Sequence, residues 1–290
     1  MLSCSSTYRV NTDIGNDKGV KEFQIPKTEE LKAYYESKSI ITTIKNDYYP
    51  KLNEDLILNI SQSNKSELSE IFVEPIIGNL PESNLNEQGD IEYFKTTEIL
   101  KQNNDILLFG AKETGKTILL NKLLIDLTES YGSGQKLPIL IKFREVSSKS
   151  IFQIVRDFIL KSSEETRIFI SKMGVVLLID NIDFSDEYKY QLKELINFLE
   201  IYPNTRLIAS HNHIDEATLP LNEIEAFSDY SKNFQTLYLH LFKSKQIKGL
   251  IANWISNTDL DLHQNIEKLL KGFNELGLPK TPLAVTLFLW

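Results

Sequence analysis

Apolar residues gather in the middle of the chain into short runs separated by amphipathic stretches. Four segments read as strands: Ile106–Phe109, Leu137–Phe143, Val175–Ile179 and Arg206–Ala209. Val175 to Ile179 is apolar at every position, as expected of a parallel strand buried on both faces. The segments between them carry helical periodicity, at Lys116–Glu129, Ile151–Leu160 and Tyr188–Leu199. Strand and helix in alternation predict an α/β fold, a parallel sheet covered by helices on both sides. Beyond about residue 225 strand signals stop, and Lys243–Trp254, Leu262–Phe273 and Pro282–Trp290 read as helices. Thr281 followed by Pro282 is a good helix start, a capping hydroxyl and then proline at the first helical position.

The upstream third is less regular. Residues 1–28 mix Ser, Asn, Asp and Gly and read as loop. Leu31, Tyr34 and Tyr35, and then Leu52, Leu56 and Ile60, are spaced for helix faces. The paired tyrosines, Tyr34–Tyr35 and Tyr48–Tyr49, suit a small helical layer packed on the sheet, with a partner surface as the alternative. Residues 61–70 read as a polar turn and short helix. Ile71–Ile77 is expected to be extended, because Pro75 disfavours helix at Glu74. Residues 78–90 read as loop and Tyr93–Leu100 as a short helix. Three parts follow: an N-terminal linker and helical segment over 1–89, an α/β core over 90–225 and a small helical domain over 226–290.

Candidate chemistry begins where the first core strand ends. Gly110-Ala111-Lys112-Glu113-Thr114-Gly115-Lys116-Thr117 fits G-x-x-x-x-G-K-[ST], the phosphate-binding P-loop. It lies between an apolar strand and a helical pattern opening at Ile118, the context the motif requires. Gly110 and Gly115 permit a tight turn that aims successive N–H groups at phosphate oxygens. The helix start adds its positive end. Lys116 is placed to reach the β- and γ-phosphates, and the Thr117 hydroxyl to take a position on Mg²⁺. About sixty residues on, Val175-Val176-Leu177-Leu178-Ile179-Asp180 is a buried strand ending in an acid, a Walker B arrangement. Asp180 is expected to hold Mg²⁺, and Asp183 to position or polarise the attacking water. The reading is therefore a P-loop NTPase sheet with flanking helices. Lys116, Asp180 and Asp183 are its catalytic candidates, and residues 110–118 form its nucleotide cradle.

In order along the chain, these segments resemble the NACHT-type module of the STAND class of P-loop ATPases, switch proteins of inflammasomes and bacterial anti-phage defence. The acidic strand continues as Asp180-Asn181-Ile182-Asp183-Phe184, a Pro-introduced strand stands at Leu137-Pro138-Ile139-Leu140-Ile141, and Pro203-Asn204-Thr205-Arg206 precedes the next apolar strand. Thr281-Pro282-Leu283-Ala284 resembles the family's nucleotide-contacting proline segment. The resemblance spans about residues 90–290. It implies ATP or ADP with Mg²⁺ as ligands, Pro282 near the base, ATP hydrolysis, and oligomerisation of the module on activation. It also implies sensor and effector domains outside this segment, and an antiviral defence role. Two departures stand out. Phe184 occupies the position of the family's Glu, with Asp186 and Glu187 displaced nearby. The sensor strand ends Ser210-His211-Asn212-His213 rather than Ser/Thr-Arg, and a neutral imidazole reports phosphate charge more weakly than a guanidinium. Both departures point towards slow hydrolysis, or towards a catalytic group supplied by a neighbouring subunit. Two other readings stay open: a P-loop kinase or metabolic ATPase, and a non-hydrolysing nucleotide-binding scaffold. No [NT]-K-x-D guanine-reading motif stands in a suitable place, which leans towards adenine.

Composition narrows the setting. The net charge is −8, and no Lys/Arg-rich run is visible, so a nucleic-acid surface is not indicated. No apolar run approaches the roughly 20 residues of a bilayer span, and no signal peptide is apparent. Cys4 is the sole cysteine, which excludes an internal disulfide or a cysteine metal site. These features lead to a cytoplasmic expectation. The last helix stops on Leu287-Phe288-Leu289-Trp290, and the polar start at Met1 is loose; both suggest a longer chain.

Overall fold

The computed structural model describes residues 4–14, 17–26, 37–54, 56, 67–82, 91–132, 135–159, 162–212, 235–255 and 262–289. The expectations for Leu31, Tyr34, Tyr35, Ile60, His213 and Trp290 lie outside these residues.

A seven-stranded sheet organises the fold. Its strands are β3 (Ile77–Gly78), β4 (Tyr93–Phe94), β5 (Ile106–Gly110), β6 (Leu137–Lys142), β7 (Val175–Ile182), β8 (Arg206–Asn212) and β9 (Gln235–Leu239), ordered β4-β3-β9-β5-β8-β7-β6. The five strands β9, β5, β8, β7 and β6 run parallel, and β3 and β4 extend the sheet antiparallel. The predicted α/β class is the observed one. Adjacent residues of the P-loop strand face opposite sides. Leu107 and Phe109 join one apolar core with Ile139, Leu177 and Leu207, while Ile106 and Leu108 join a second core with Val176, Leu178 and Ile208.

Each core has its own helices. On the first side lie α5 (Ile151–Ile159), α6 (Ser163–Met173) and α7 (Lys189–Ile201), whose Val155, Ile170 and Leu195 are fully buried. On the second lie α3 (Thr96–Lys101), the P-loop helix α4 (Lys116–Glu129), α8 (Ser244–Ile255), α9 (Leu262–Leu276) and α10 (Pro282–Leu289). The helical stretch 37–54 (α1), with a π-helical turn at Ile44–Tyr48, and the short α2 (Leu68–Ile71) also bury apolar side chains here; Ile44 enters the first core, and Leu52 and Leu68 the second. Tyr49 of the paired tyrosines packs on both cores.

Several expectations are corrected. The chain beyond 225 is not strand-free: Gln235–Leu239 pairs in parallel with the P-loop strand and lies inside the sheet. Ile77–Gly78 lies in the same sheet, so the sheet takes strands from both sides of the expected 90–225 core. Residues 4–14 and 17–26 are an antiparallel pair of strands, β1 and β2, rather than loop. Their sequence explains this: Tyr8, Val10, Thr12 and Ile14 alternate with Arg9, Asn11 and Asp13, and Gly15-Asn16 is a two-residue hairpin signal. Tyr93–Phe94 is strand, and the helix there starts at Thr96. Helix α6 was not anticipated, although Ser162 and Glu165 form a reciprocal capping box at its start.

One buried cation fixes the base of the sheet. Arg206, at the start of β8, donates to the carbonyls of Ile99 (2.7 Å) and Asn104 (3.1 Å), and so takes up a free carbonyl at the end of α3. Asp105 accepts from the Leu207 N–H at 2.8 Å. The Pro-Asn-x-Arg segment thus acts structurally, by fastening β8 beside the P-loop strand.

Candidate functional site

The site forms at the carboxyl ends of the parallel strands, where an open α/β sheet leaves its crevice. Strand β5 ends at Gly110, and the loop re-enters helix at Gly115, whose φ of 93° is left-handed. An added Cβ at Gly115 would stand 3.2 Å from Pro282 Cγ, so the position requires glycine on two counts. Glu113 also has a positive φ, of 67°.

Lys116 is only 5% exposed. Its Nζ donates to the carbonyls of Gly110 (2.8 Å) and Ala111 (2.5 Å) and lies 3.3 Å from Thr114 Oγ1. Burial lowers its pKa to about 8, and the nearby Asp180 charge pushes back upward. One helical residue on, Thr117 Oγ1 donates to both oxygens of Asp180, at 3.1 and 3.0 Å. The Ser210 hydroxyl of β8 donates to Asp180 Oδ1 at 2.9 Å and accepts from the Asn181 N–H at 2.9 Å. Asp180 is therefore held from both neighbouring elements, with its carboxylate beside the first turn of α4.

Pairing between β7 and β8 shifts between Ile179 and Ile182, and Asn181 takes a φ of 60°. This bulge turns Asp180 and Asn181 together towards the crevice, where Asn212 of β8 donates to the Asn181 side-chain carbonyl. Asp183 is placed elsewhere. Its carboxylate accepts from the Ser185 N–H at 2.9 Å, and it lines neither of the cavities below. His211 also turns away: 8% exposed, it donates Nδ1–H to the Ile182 carbonyl at 2.6 Å and packs edge-on to Phe109 and Phe184. Phe184 is a core residue in contact with His211, and Asp186 and Glu187 are exposed on a short 3₁₀ turn.

Two cavities meet at Lys116, Thr117 and Asn212. The first, of about 350 Å³, lies between the P-loop and the C-terminal helices, with Ile71, Val73, Phe242, Leu250 and Pro282 in its walls. The second, of about 300 Å³, is polar and lined by Lys142, Arg144, Asp180 and Asn181. An apolar chamber and a polar chamber joined across a P-loop lysine suit a molecule with a flat ring at one end and phosphates at the other. Glu113, Thr114, Gly115, Thr117, Ile118 and Pro282 of the predicted cradle line the first chamber; Gly110 and Ala111 contribute carbonyls to Lys116, and Lys112 is exposed. Among the described residues no group of three or more His, Cys, Asp and Glu could hold a metal. One carboxylate and one hydroxyl, Asp180 and Thr117, are nevertheless a fitting donor set for Mg²⁺, which takes its other ligands from phosphate and water.

No protein-family model and no curated protein matches this sequence. The chain has partial likenesses to solved structures, with TM-scores below 0.5. AMPPCP-bound DnaA from Aquifex aeolicus is 16% identical, with 66% of this chain and 56% of that one covered and a TM-score of 0.44. Domain III of DnaA from Thermotoga maritima is 17% identical, with 67% and 88% covered and a TM-score of 0.41. The Aeropyrum pernix ORC1 protein, in complex with DNA, is 15% identical, with 64% and 52% covered and a TM-score of 0.44. The chain spans little more than half the length of the first of these. The strand order, the P-loop motif and the Thr117–Asp180 pair together define a mostly parallel α/β sheet with a phosphate-loop sequence and an acidic strand end meeting at its carboxyl edge. Among the described residues no helix is long and apolar enough to cross a membrane.

The lowered Lys116 pKa has a measurable consequence. A bound phosphate would favour the charged ammonium, so binding above about pH 8 would take up a proton, and affinity would fall as pH rises past about 8. The stability term has the opposite slope. The folded pKa lies below the unfolded one, so the cost of burying this charge is complete below about pH 8 and fades as pH rises to 10.5. Titration calorimetry with ATP at pH 9, in buffers of different ionisation enthalpy, is expected to show net proton uptake, absent in Lys116→Met.

Proposed function

We propose that this chain is an ATP-binding and slowly hydrolysing switch module of the NACHT-type STAND class, acting in the cytoplasm as part of a longer defence or signalling protein. The observation that carries the nucleotide reading is the Thr117–Asp180 hydrogen bond beside buried Lys116, at the junction of an apolar and a polar chamber. The base sits among Val73, Phe242 and Pro282, and the phosphates run along 110–117 into the polar chamber. Thr117 and Asp180 hold Mg²⁺, which neutralises charge on the phosphate oxygens. Ser210 keeps Asp180 aimed at that position. Asp183 remains the proposed water-positioning residue, and it reaches the site only if the segment from Asp183 to Ser185, just beyond β7, shifts.

The switch reading rests on the contact between α10 and the P-loop. Pro282 packs on Gly115, so a nucleotide in the first chamber touches the sheet and the C-terminal helices at once. ADP would hold that arrangement closed, and exchange for ATP would release it and permit homo-oligomerisation, with sensor and effector outside this segment. One observation favours a second reading, a non-hydrolysing scaffold: Asp180, already paired with Thr117, is the only carboxylate among the described residues lining the polar chamber.

Asp180→Asn tests the metal assignment. ATP affinity in Mg²⁺ is expected to fall roughly 10- to 100-fold, as for loss of a charged hydrogen-bonding partner, while affinity in EDTA stays unchanged. Titration calorimetry in both buffers measures it. Equal affinities for wild type and variant in Mg²⁺ would remove Asp180 from the metal site.

A further inference from the structure

The sensor strand β8 offers the polar chamber an amide, Asn212, and no cation, because His211 is turned into the core. Two cations reach the chamber from the opposite wall. Lys142 ends β6, in register with Asp180 across the β6–β7 ladder. Neighbouring strands lie about 4.8 Å apart, so the two backbones are adjacent. Arg144 follows on the 3₁₀ turn Phe143–Ser147, which keeps it at the same end of the sheet. Both side chains are exposed, and neither forms an ion pair among the described residues. Arg156 and Lys149, by contrast, are both committed to Asp157. Lys116, at the junction, is the chamber's remaining cation among the described residues and is bonded to its own loop.

We infer that Lys142 and Arg144 read the terminal phosphate of a nucleoside triphosphate, and so supply from β6 the charge that β8 lacks. The inference rests on the nucleotide reading above. A diphosphate placed along the P-loop ends near Lys116 and Thr117. A third phosphate extends past Asp180 into the polar chamber, towards the two cations. An arginine fork matches phosphate oxygens in a bidentate manner, and a lysine adds a point charge. The pair therefore favours triphosphate over diphosphate and leaves base and β-phosphate contacts untouched.

Calorimetric dissociation constants for a non-hydrolysable ATP analogue and for ADP, both with Mg²⁺, provide the test. They are measured on wild type, Lys142→Ala, Arg144→Ala and the double variant. The exposure of both side chains leaves the fold intact, which thermal melting verifies. The double variant is expected to lose roughly 10- to 100-fold in affinity for the triphosphate, and less than about threefold for ADP, whose phosphates stop short of the pair. Arg144→Lys is expected to recover part of the triphosphate affinity. Wild type that binds both nucleotides, with an unchanged ratio in the double variant, overturns the inference alone. Wild type that binds neither overturns the nucleotide reading and the inference together.

Discussion

Replacing Lys116 by methionine is expected to abolish most of the proposed nucleotide affinity while the protein stays folded. The side chain is buried and its ammonium is desolvated, so methionine removes a charge that burial disfavours. The lost partners are carbonyls of its own loop, Gly110 and Ala111. Thermal stability is therefore expected to stay within about 1 kcal/mol of wild type, the size of one net hydrogen bond. Binding is different, because the ammonium is the only buried cation among the described residues at the junction of the two chambers. A charged hydrogen bond is worth about 1.5–3 kcal/mol, or roughly 10- to 150-fold in affinity. Calorimetric titration of ATP·Mg²⁺ measures it, and unchanged affinity in a folded variant would refute the P-loop assignment.

Gly174→Ala produces the opposite pattern. Gly174 closes α6 and opens the acidic strand β7, with φ 71° and ψ 166°, a region that only glycine occupies readily. A Cβ there would lie 2.5 Å from the Asn204 carbonyl oxygen and 2.7 Å from its side-chain nitrogen. The backbone is also tied on both sides: the Gly174 N–H donates to Ile170 and its carbonyl accepts from Leu137. Strain and overlap together are expected to cost about 3 kcal/mol or more, a fall of roughly 6–12 °C in Tm for a chain of this size. Below the transition, nucleotide affinity stays near wild type, since Gly174 lines neither chamber. Melting curves with and without ATP separate the two effects. A Tm within 2 °C, on the order of a 1 kcal/mol change, would show that the backbone there relaxes.

These two positions mark what the sequence discloses and what it conceals. Lys116 was legible because a phosphate cradle needs a fixed spacing of glycine, lysine and hydroxyl, and chemistry constrains that spacing locally. Asp180 was legible for a similar reason, as an acid ending a run that could only be a buried strand. Other features depend on contacts between distant segments. Ser210 read as a strand end, yet it aims Asp180 from the next strand. The bulge at Asn181 arises from pairing with β8, and it brings Asn181 rather than Asp183 to the crevice beside Asp180. The imidazole of His211 faces the core because alternate residues of a strand face opposite sides, and its backbone partner decides which. Strand β9 was missed because Gln235-Thr236-Leu237-Tyr238-Leu239 is short and half polar at its start. Its place in the centre of the sheet depends on β5, more than a hundred positions away. The β1–β2 pair and α6 are different, since their alternation and capping box stand in the sequence itself.

The position of β5 bears on how the chain reaches this fold during synthesis. Its two neighbours, β8 and β9, lie about a hundred or more residues downstream. At roughly 5–20 residues per second of translation, the apolar segment Ile106–Phe109 leaves the ribosome some 5–20 s before either neighbour exists. The β6–β7 ladder, by contrast, can zip as soon as Ile182 emerges. An emerging chain therefore carries a β6–β7 half-sheet and an unpaired phosphate-loop strand, and that strand is the segment a chaperone would be expected to cover.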